Sequence, residues 1–450
     1  MSIFIGRQAI VIGAGMSGLG AARALADHFE QVTVLERDTF PADPVPRPGV
    51  PQSWHLHGLL GGGQRAFSEL FPDFETDLVG ADGVPVRAGL DFLFEIPGYD
   101  PFPRRDLGWV TYAMSRPLIE QVVRRRVERH ANITLRQGCR ALEIAAGPDG
   151  ASASGIRYET KEGRQETLAA ALIVDASARG TLTLAFLKSL GRPMPEQTRI
   201  EVNEGIASAL FAVPDNFSSD WKGVFTIPAA RESSRGGIMV RVEENRWMVT
   251  LFGRHGEWPP GEGKKFLGYA QSLRTSTIYS AIKDAKPLRD VVRFGFTENL
   301  LRHFGRLDLF PRGLLPIGDA LCRFNPMYGQ GMSVAAMEAA LLRRILSALA
   351  AEQDPLGKLA PAFFAEAQVL IETPWAISAV PDFIYPETKG DRPADLESAL
   401  RFEGAVARIA ARDPAVHKLM VEVQHLLKPR SVYREPALVE RVKAEMAEAW

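Results

Sequence analysis

The chain has 450 residues, about three times an ordinary domain, with 53 basic against 54 acidic side chains. A net charge of −1 excludes the basic excess of a dedicated nucleic-acid binder, and 46% hydrophobic with 24% charged residues excludes a disordered or fibrous chain. Two cysteines, Cys139 and Cys322, form neither a disulfide framework nor a metal-type cluster, which fits a reducing, cytoplasmic setting.

Taken in chain order, the first predicted strand is Ala9-Ile10-Val11-Ile12. It runs into Gly13-Ala14-Gly15-Met16-Ser17-Gly18 and then an Ala- and Leu-rich helix from Leu19. This is a GxGxxG turn in its strand–turn–helix setting, where backbone N–H groups and a helix dipole meet a pyrophosphate. A second strand, Gln31–Leu35, delivers Glu36 with Arg37 beside it, roughly 20 residues on, where a carboxylate meets an adenosine ribose. The uncharged stretch from Gln8 to Ala22 is shorter than the ~20 residues of a spanning helix and rich in glycine, so no stable membrane insertion is expected.

Five prolines between Pro41 and Pro51 preclude a helix and predict an extended wall segment. In the stretch after it His55 and His57 alternate and should face opposite sides, and no third ligand suggests a metal. Gly61-Gly62-Gly63 follows no strand, so it is no second nucleotide turn; it falls in a predicted helix, Leu59–Leu70. Further strands are expected at Ile133–Arg136, Leu172–Asp175 and Leu314–Ile317, all with buried-type apolar runs. Between them, Val224–Ile227, Gly237–Val242 and Arg246–Phe252 alternate like antiparallel strands, with a turn at Glu243-Glu244-Asn245. The tail from Pro361 is helical in pattern, broken at Pro374, Pro381 and Pro386, with a further helical stretch from Ala399 to Leu427.

Gly313–Ala320 ends a strand in Gly318-Asp319, and Phe324-Asn325-Pro326-Met327-Tyr328-Gly329-Gln330-Gly331-Met332 leads into a helix near Ser333. With these motifs the sequence resembles the flavin-dependent monooxygenases of the para-hydroxybenzoate hydroxylase superfamily. The stretch Val50-Pro51-Gln52-Ser53-Trp54-His55-Leu56-His57-Gly58-Leu59-Leu60 looks like the polyene epoxidases of polyether pathways. The resemblance implies an α/β Rossmann-like FAD fold of glutathione-reductase type, with an inserted antiparallel substrate sheet and a helical C-terminal region. The expected divisions are 1–80, 110–185 and 290–352 for the FAD domain, 81–109 and 186–289 for the substrate domain, and 353–450 for the helical region. It further implies that Gly13, Gly15, Ser17, Gly18, Glu36, Arg37, Arg116, Asp175, Gly318, Asp319, Pro326, Gly329, Gly331 and Met332 bind FAD. Asp175-Ala176-Ser177 departs from the family's Asp-Gly pattern and puts direct nicotinamide contact in doubt.

The activity implied is transfer of one oxygen from a flavin C4a-hydroperoxide to a lipophilic alkene or aromatic molecule, with O₂ as oxidant and NAD(P)H or a separate flavin reductase as electron source. His55, His57 and Arg47 are the polar candidates for a catalytic part. An FAD-dependent reductase of prenyl-type lipids shares the fold, and oxygen consumption separates it. A flavin-dependent halogenase is the third reading, but its Trp-x-Trp-x-Ile-Pro signature is missing.

Overall fold

The computed structural model describes residues 4–230 and 232–448. Strands Gly6–Ile12, Phe29–Glu36, Ile133–Gln137, Leu172–Asp175 and Leu314–Pro316 form one five-stranded sheet, every neighbouring pair parallel. The strand Gly6–Ile12 lies centrally, between Leu172–Asp175 and Phe29–Glu36. Its residues Ala9, Ile10 and Val11 are fully buried, as a strand covered on both faces requires. The helices Met16–Ala26 and Gly331–Leu349 pack on one face, with Leu19, Leu25, Ala339 and Leu342 in a single core. All five predicted strands lie in this sheet. Their carboxyl ends gather Gly13, Glu36, Asp175 and, just past Pro316, Gly318, the edge where open α/β sheets bind ligands.

A seven-stranded sheet runs in the order Cys322–Arg323, Val292–Arg302, Gln197–Ala212, Arg246–Arg254, Gly236–Val242, Gly223–Thr226 and Phe92–Glu95. It is antiparallel except that Phe92–Glu95 pairs parallel with Gly223–Thr226. The expected turn is present, with Glu244 and Asn245 at φ 58° and 53°. Val292–Arg302 belongs here, although the sequence reading counted 290–352 with the nucleotide fold. Much of its length alternates between more and less exposed side chains, the mark of a half-buried antiparallel strand. A three-stranded sheet of Arg140–Ala146, Ala153–Glu159 and Gln165–Ala169 was not foreseen.

In the tail, one helix continues through the expected breaks from Pro355 to Asp382, with Pro361, Pro374 and Pro381 inside it. Phe363, Phe364, Ala367 and Ile371 join the main core, and that packing outweighs the N–H groups the prolines remove. Helices Leu396–Arg412 and Pro414–Gln424 divide the stretch expected from Ala399 to Leu427. The division falls at Asp413, whose carboxylate accepts the Ala415 and Val416 N–H groups at 2.8 and 3.2 Å. These helices build a separate core with Phe102 and Leu107. Among the described residues no helix is long and apolar enough to cross a membrane.

Candidate functional site

The first glycine turn is closed by sterics. A Cβ on Gly18 would overlap the Gly13 carbonyl oxygen, whereas one on Gly15 would meet nothing within 4 Å, so that backbone faces open space. Glu36 is 5% exposed and bridges the turn: its oxygens accept the Ala14 N–H at 2.8 Å and the Asp38 N–H at 3.0 Å. Arg37, next in sequence, is exposed.

Arg47 reaches back to this end. Its guanidinium lies 3.2 Å from Glu36, 2.8 Å from Asp38 and 2.7 Å from Glu120, and also donates to the Ala14 carbonyl at 3.1 Å. Glu120 binds Arg116 in turn at 2.9 Å, one turn along the helix Arg116–Glu128. Burial alone would raise the Glu120 carboxyl, but the charges and hydrogen bonds of Arg116 and Arg47 outweigh it and hold the group below its usual range. Arg47 was read as a candidate beside the two histidines; the structure instead commits it to three carboxylates at the Glu36 end.

The second turn meets the first. A Cβ on Gly318 would overlap the Ser17 hydroxyl, so the two glycine segments, three hundred residues apart, are in contact. The Asp319 carboxylate takes no hydrogen bond from protein among the described residues, and burial raises it to about 6 against the pull of Arg323, Arg302 and Arg116. Behind the turn, buried Glu338 accepts the Gly318 N–H at 2.6 Å. Burial first, and the Asp319 charge to a lesser degree, push it to about 8, so it carries its proton at neutral pH. Past Pro326, Gly329 and Gly331 have open space where side chains would stand, and Met332 is buried in the first turn of Gly331–Leu349.

Asp175 stands at the same strand ends, beside both glycine turns, but its carboxylate is taken up within the protein. Its carboxylate accepts the Ser177 N–H at 3.1 Å and the Thr183 hydroxyl at 2.6 Å, with 0% exposure. It holds the start of the helix Thr181–Ser189 rather than presenting oxygens to a ligand.

The Pro326 loop is anchored by residues that no local motif announces. Asp382 accepts from Asn299 at 2.8 Å and from the Tyr328 hydroxyl at 2.9 Å, and pairs with Arg254 at 2.8 Å. Glu204 stands 3.7 Å from Arg254, and both its oxygens are buried without a hydrogen bond. Burial lifts its carboxyl to about 7 despite Arg254, with Asp382 adding to the rise. A cleft of about 790 Å³, lined by Ser234, His255, Glu257, Tyr385 and Arg392, reaches Arg254 from outside.

His55 and His57 do diverge. His55 Nδ1 lies 2.8 Å from Ser208 Oγ, which is 2.7 Å from Thr250 Oγ1, so this ring docks on the seven-stranded sheet. Its Nε2 is buried without a partner, and burial, then His57 and Arg289, lower the ring to about 3, leaving it neutral. His57 Nδ1 is 3.0 Å from the His55 carbonyl, and burial and the Arg116 charge lower it to about 4.

The glycines, Glu36, Arg116 and Asp319 thus gather in one region, and their donor set fits a dinucleotide. Backbone N–H groups and an open glycine path lie between a carboxylate at one end and an unbonded carboxylate at the other. The family of NAD(P)-binding Rossmann-like domains matches residues 11–73. Protein Rv3254 of Mycobacterium tuberculosis is 33% identical over 358 residues, which are 76% of this chain and 73% of that one. The flavin-dependent brominase Bmp2 superposes with a TM-score of 0.69 at 13% identity, over 99% of this chain and 100% of that one. The p-nitrophenol 4-monooxygenase PnpA of Pseudomonas putida gives 0.62 at 15%, over 94% and 99%. The chain therefore has the fold of these flavin-dependent enzymes.

Proposed function

Because this chain belongs to the same family as protein Rv3254 and has the fold of flavin-dependent enzymes, we propose that it is an FAD-dependent monooxygenase acting on a lipophilic alkene or aromatic substrate. One observation carries the reading: Ser17 of the first glycine turn abuts Gly318 of the second, which supports a single extended dinucleotide that would reach from Glu36 to Asp319. Glu36 would hold the adenosine ribose, the Gly15–Gly18 backbone and Arg116 the pyrophosphate, and Asp319 the ribityl hydroxyls. The start of Gly331–Leu349 would present its positive dipole end to the bound ring, where negative charge is stabilised by about 0.3–1 kcal/mol.

FAD, when bound, supplies electrons taken from NAD(P)H or a flavin reductase to O₂, for transfer of one oxygen atom to substrate. The chain's own part is to position and to keep water out. Neutral His55, fixed by Ser208 and packed 5.6 Å from the Phe294 ring, offers Nε2 without carrying a charge into an apolar place. It needs no base of its own for an alkene, which has no proton to lose.

The test is purification with excess FAD, then oxygen uptake and peroxide release with NADH, NADPH or a flavin reductase. The expected outcome is a yellow protein that consumes oxygen, and a His55→Ala variant that stays yellow but releases several-fold more peroxide per reductant. A colourless protein ends the proposal, and alkene reduction without oxygen makes the chain a reductase.

A further inference from the structure

Glu204 lies on the strand Gln197–Ala212, directly opposite Arg254 of the neighbouring antiparallel strand. It is 1% exposed, yet the guanidinium stays 3.7 Å away, beyond hydrogen-bond reach, and neither carboxyl oxygen has a partner among the described residues. Arg254 is drawn instead to Asp382, 2.8 Å away. One buried cation thus stands between two buried carboxyl groups and is paired closely with one of them. A neutral Glu204 accounts for the unequal sharing, since an uncharged carboxyl pulls only weakly on a guanidinium.

Asp382 depends on that cation. It is the last residue of the helix Pro355–Asp382, where the dipole end is negative and a buried carboxylate is least welcome. With Arg254 beside it, the carboxylate accepts from the Tyr328 hydroxyl at 2.9 Å, the Asn299 amide at 2.8 Å and the Asn325 amide at 3.3 Å. Asn325 in turn accepts the Met327 N–H at 3.0 Å, and Arg254 donates to the Tyr328 hydroxyl at 3.4 Å. The Asn325–Gly329 loop is therefore fastened through Asp382, and Asp382 through Arg254. The outer cleft brings solvent to the guanidinium.

We propose that Glu204 is a positioning residue for the cofactor loop: with its proton it leaves Arg254 to Asp382, and without it the guanidinium is divided between two carboxylates and the hold on Tyr328 slackens. The inference rests on the FAD reading and adds a control by pH to the same site. Arg254 faces Glu204 from the next strand, Asp382 from the long helix, Asn325 from the loop, Tyr269 from the helix Gly263–Gln271 and Tyr385 from the segment after Asp382. Burial raises both tyrosine hydroxyls, so neither is charged near neutrality. On its other side the strand Val292–Arg302 sets Phe296 opposite. Burial outweighs Arg254 and brings Glu204 to about 7, so in the folded protein it is neutral below that pH and charged above it.

The test dilutes the FAD-loaded protein and follows flavin release by its fluorescence between pH 6 and 8. Release should quicken several-fold over that range in the wild type and much less in Glu204→Gln, whose amide stays neutral and keeps the shape. Asp319 and Glu338, raised to about 6 and about 8, titrate in the same window in both proteins, so the difference between the two profiles is what counts. In a Tyr328→Phe background, which lacks the hydroxyl that Asp382 accepts, the two profiles should draw together. Coincident profiles at the outset, or a difference that Tyr328→Phe leaves intact, overturn the proposal. So does a Glu204→Gln protein that holds FAD worse than the wild type at pH 6, where both side chains are uncharged. Each of these outcomes sinks only this inference, whereas a wild type that never takes FAD sinks the function on which it rests.

Discussion

The Glu36 end and the Pro326 end of the site are both built from buried charge, but they treat it differently. At the Glu36 end Arg47 touches three carboxylates and donates to a backbone carbonyl, and Glu36 accepts two backbone N–H groups. Toward the other end, Glu204, His55 Nε2, Trp109 Nε1 and Gln64 Oε1 are buried without hydrogen-bond partners. A ligand of constant shape can be met by a network that is complete before it arrives. A reacting molecule has to find groups still open. The contrast teaches that the first end is built to hold and the second to receive.

The strongest way to break the comparison is at the turn itself. Gly18→Ala sets a methyl into the Gly13 carbonyl, an overpacking against backbone that should destabilise by about 3 kcal/mol or more. The expected product is insoluble, or soluble and colourless after purification with FAD. A yellow, stable variant would mean that the turn yields more than its geometry shows.

Next in size are the two arginines. Arg47→Met strands Glu36 and Asp38 and leaves Glu120 to Arg116 alone, a buried uncompensated charge worth about 3–5 kcal/mol. Arg254→Met strands Asp382 and Glu204, but only Asp382 is hydrogen-bonded, so adding Glu204→Gln should recover part of the loss. Urea denaturation of the three variants measures this. No recovery in the double variant would show that Glu204 does not act as a charge.

The smallest effect separates the ends by pH. Glu338 has a folded value near 8 against an ordinary 4.5, so the stability lent by its proton is full below pH 4.5 and is lost as pH rises through 8. Glu204 follows the same sign with a folded value near 7. Thermal midpoints should therefore fall between pH 5 and 8 in the wild type, and fall less in Glu338→Gln and in Glu204→Gln. Parallel slopes in all three would remove both carboxyls from the account.

The first end was legible because its signals are local. Gly13, Gly15, Gly18 and Glu36 lie within one strand–turn–helix–strand unit, where spacing alone dictates geometry. Gly318 and Asp319 were legible for the same reason. Arg254, Asp382 and Glu204 were not, since each sits on a different element and only the tertiary fold joins them. Arg47 was misread because a long side chain can serve a site well behind its own position in the chain. Asp175 lies at the right strand end, but Thr183 and Ser177 satisfy it, which no motif reveals. The prolines of the Pro355–Asp382 helix failed as stop signals because packing decided the matter.

The three glycines that open the helix Gly61–Leu70, pressed between Ser333 and Leu426, have a consequence for how the protein is made. Gly61 leaves the ribosome early, and its His425 contact is encoded 364 positions later. Glycine is a weak helix former, so during translation that first turn has little to hold it until the late segment docks. A chain cut short before His425 keeps its nucleotide turn yet lacks the segment that packs on the Gly61–Gly63 turn. Premature release should thus leave the nucleotide turn beside an unbraced first turn at Gly61.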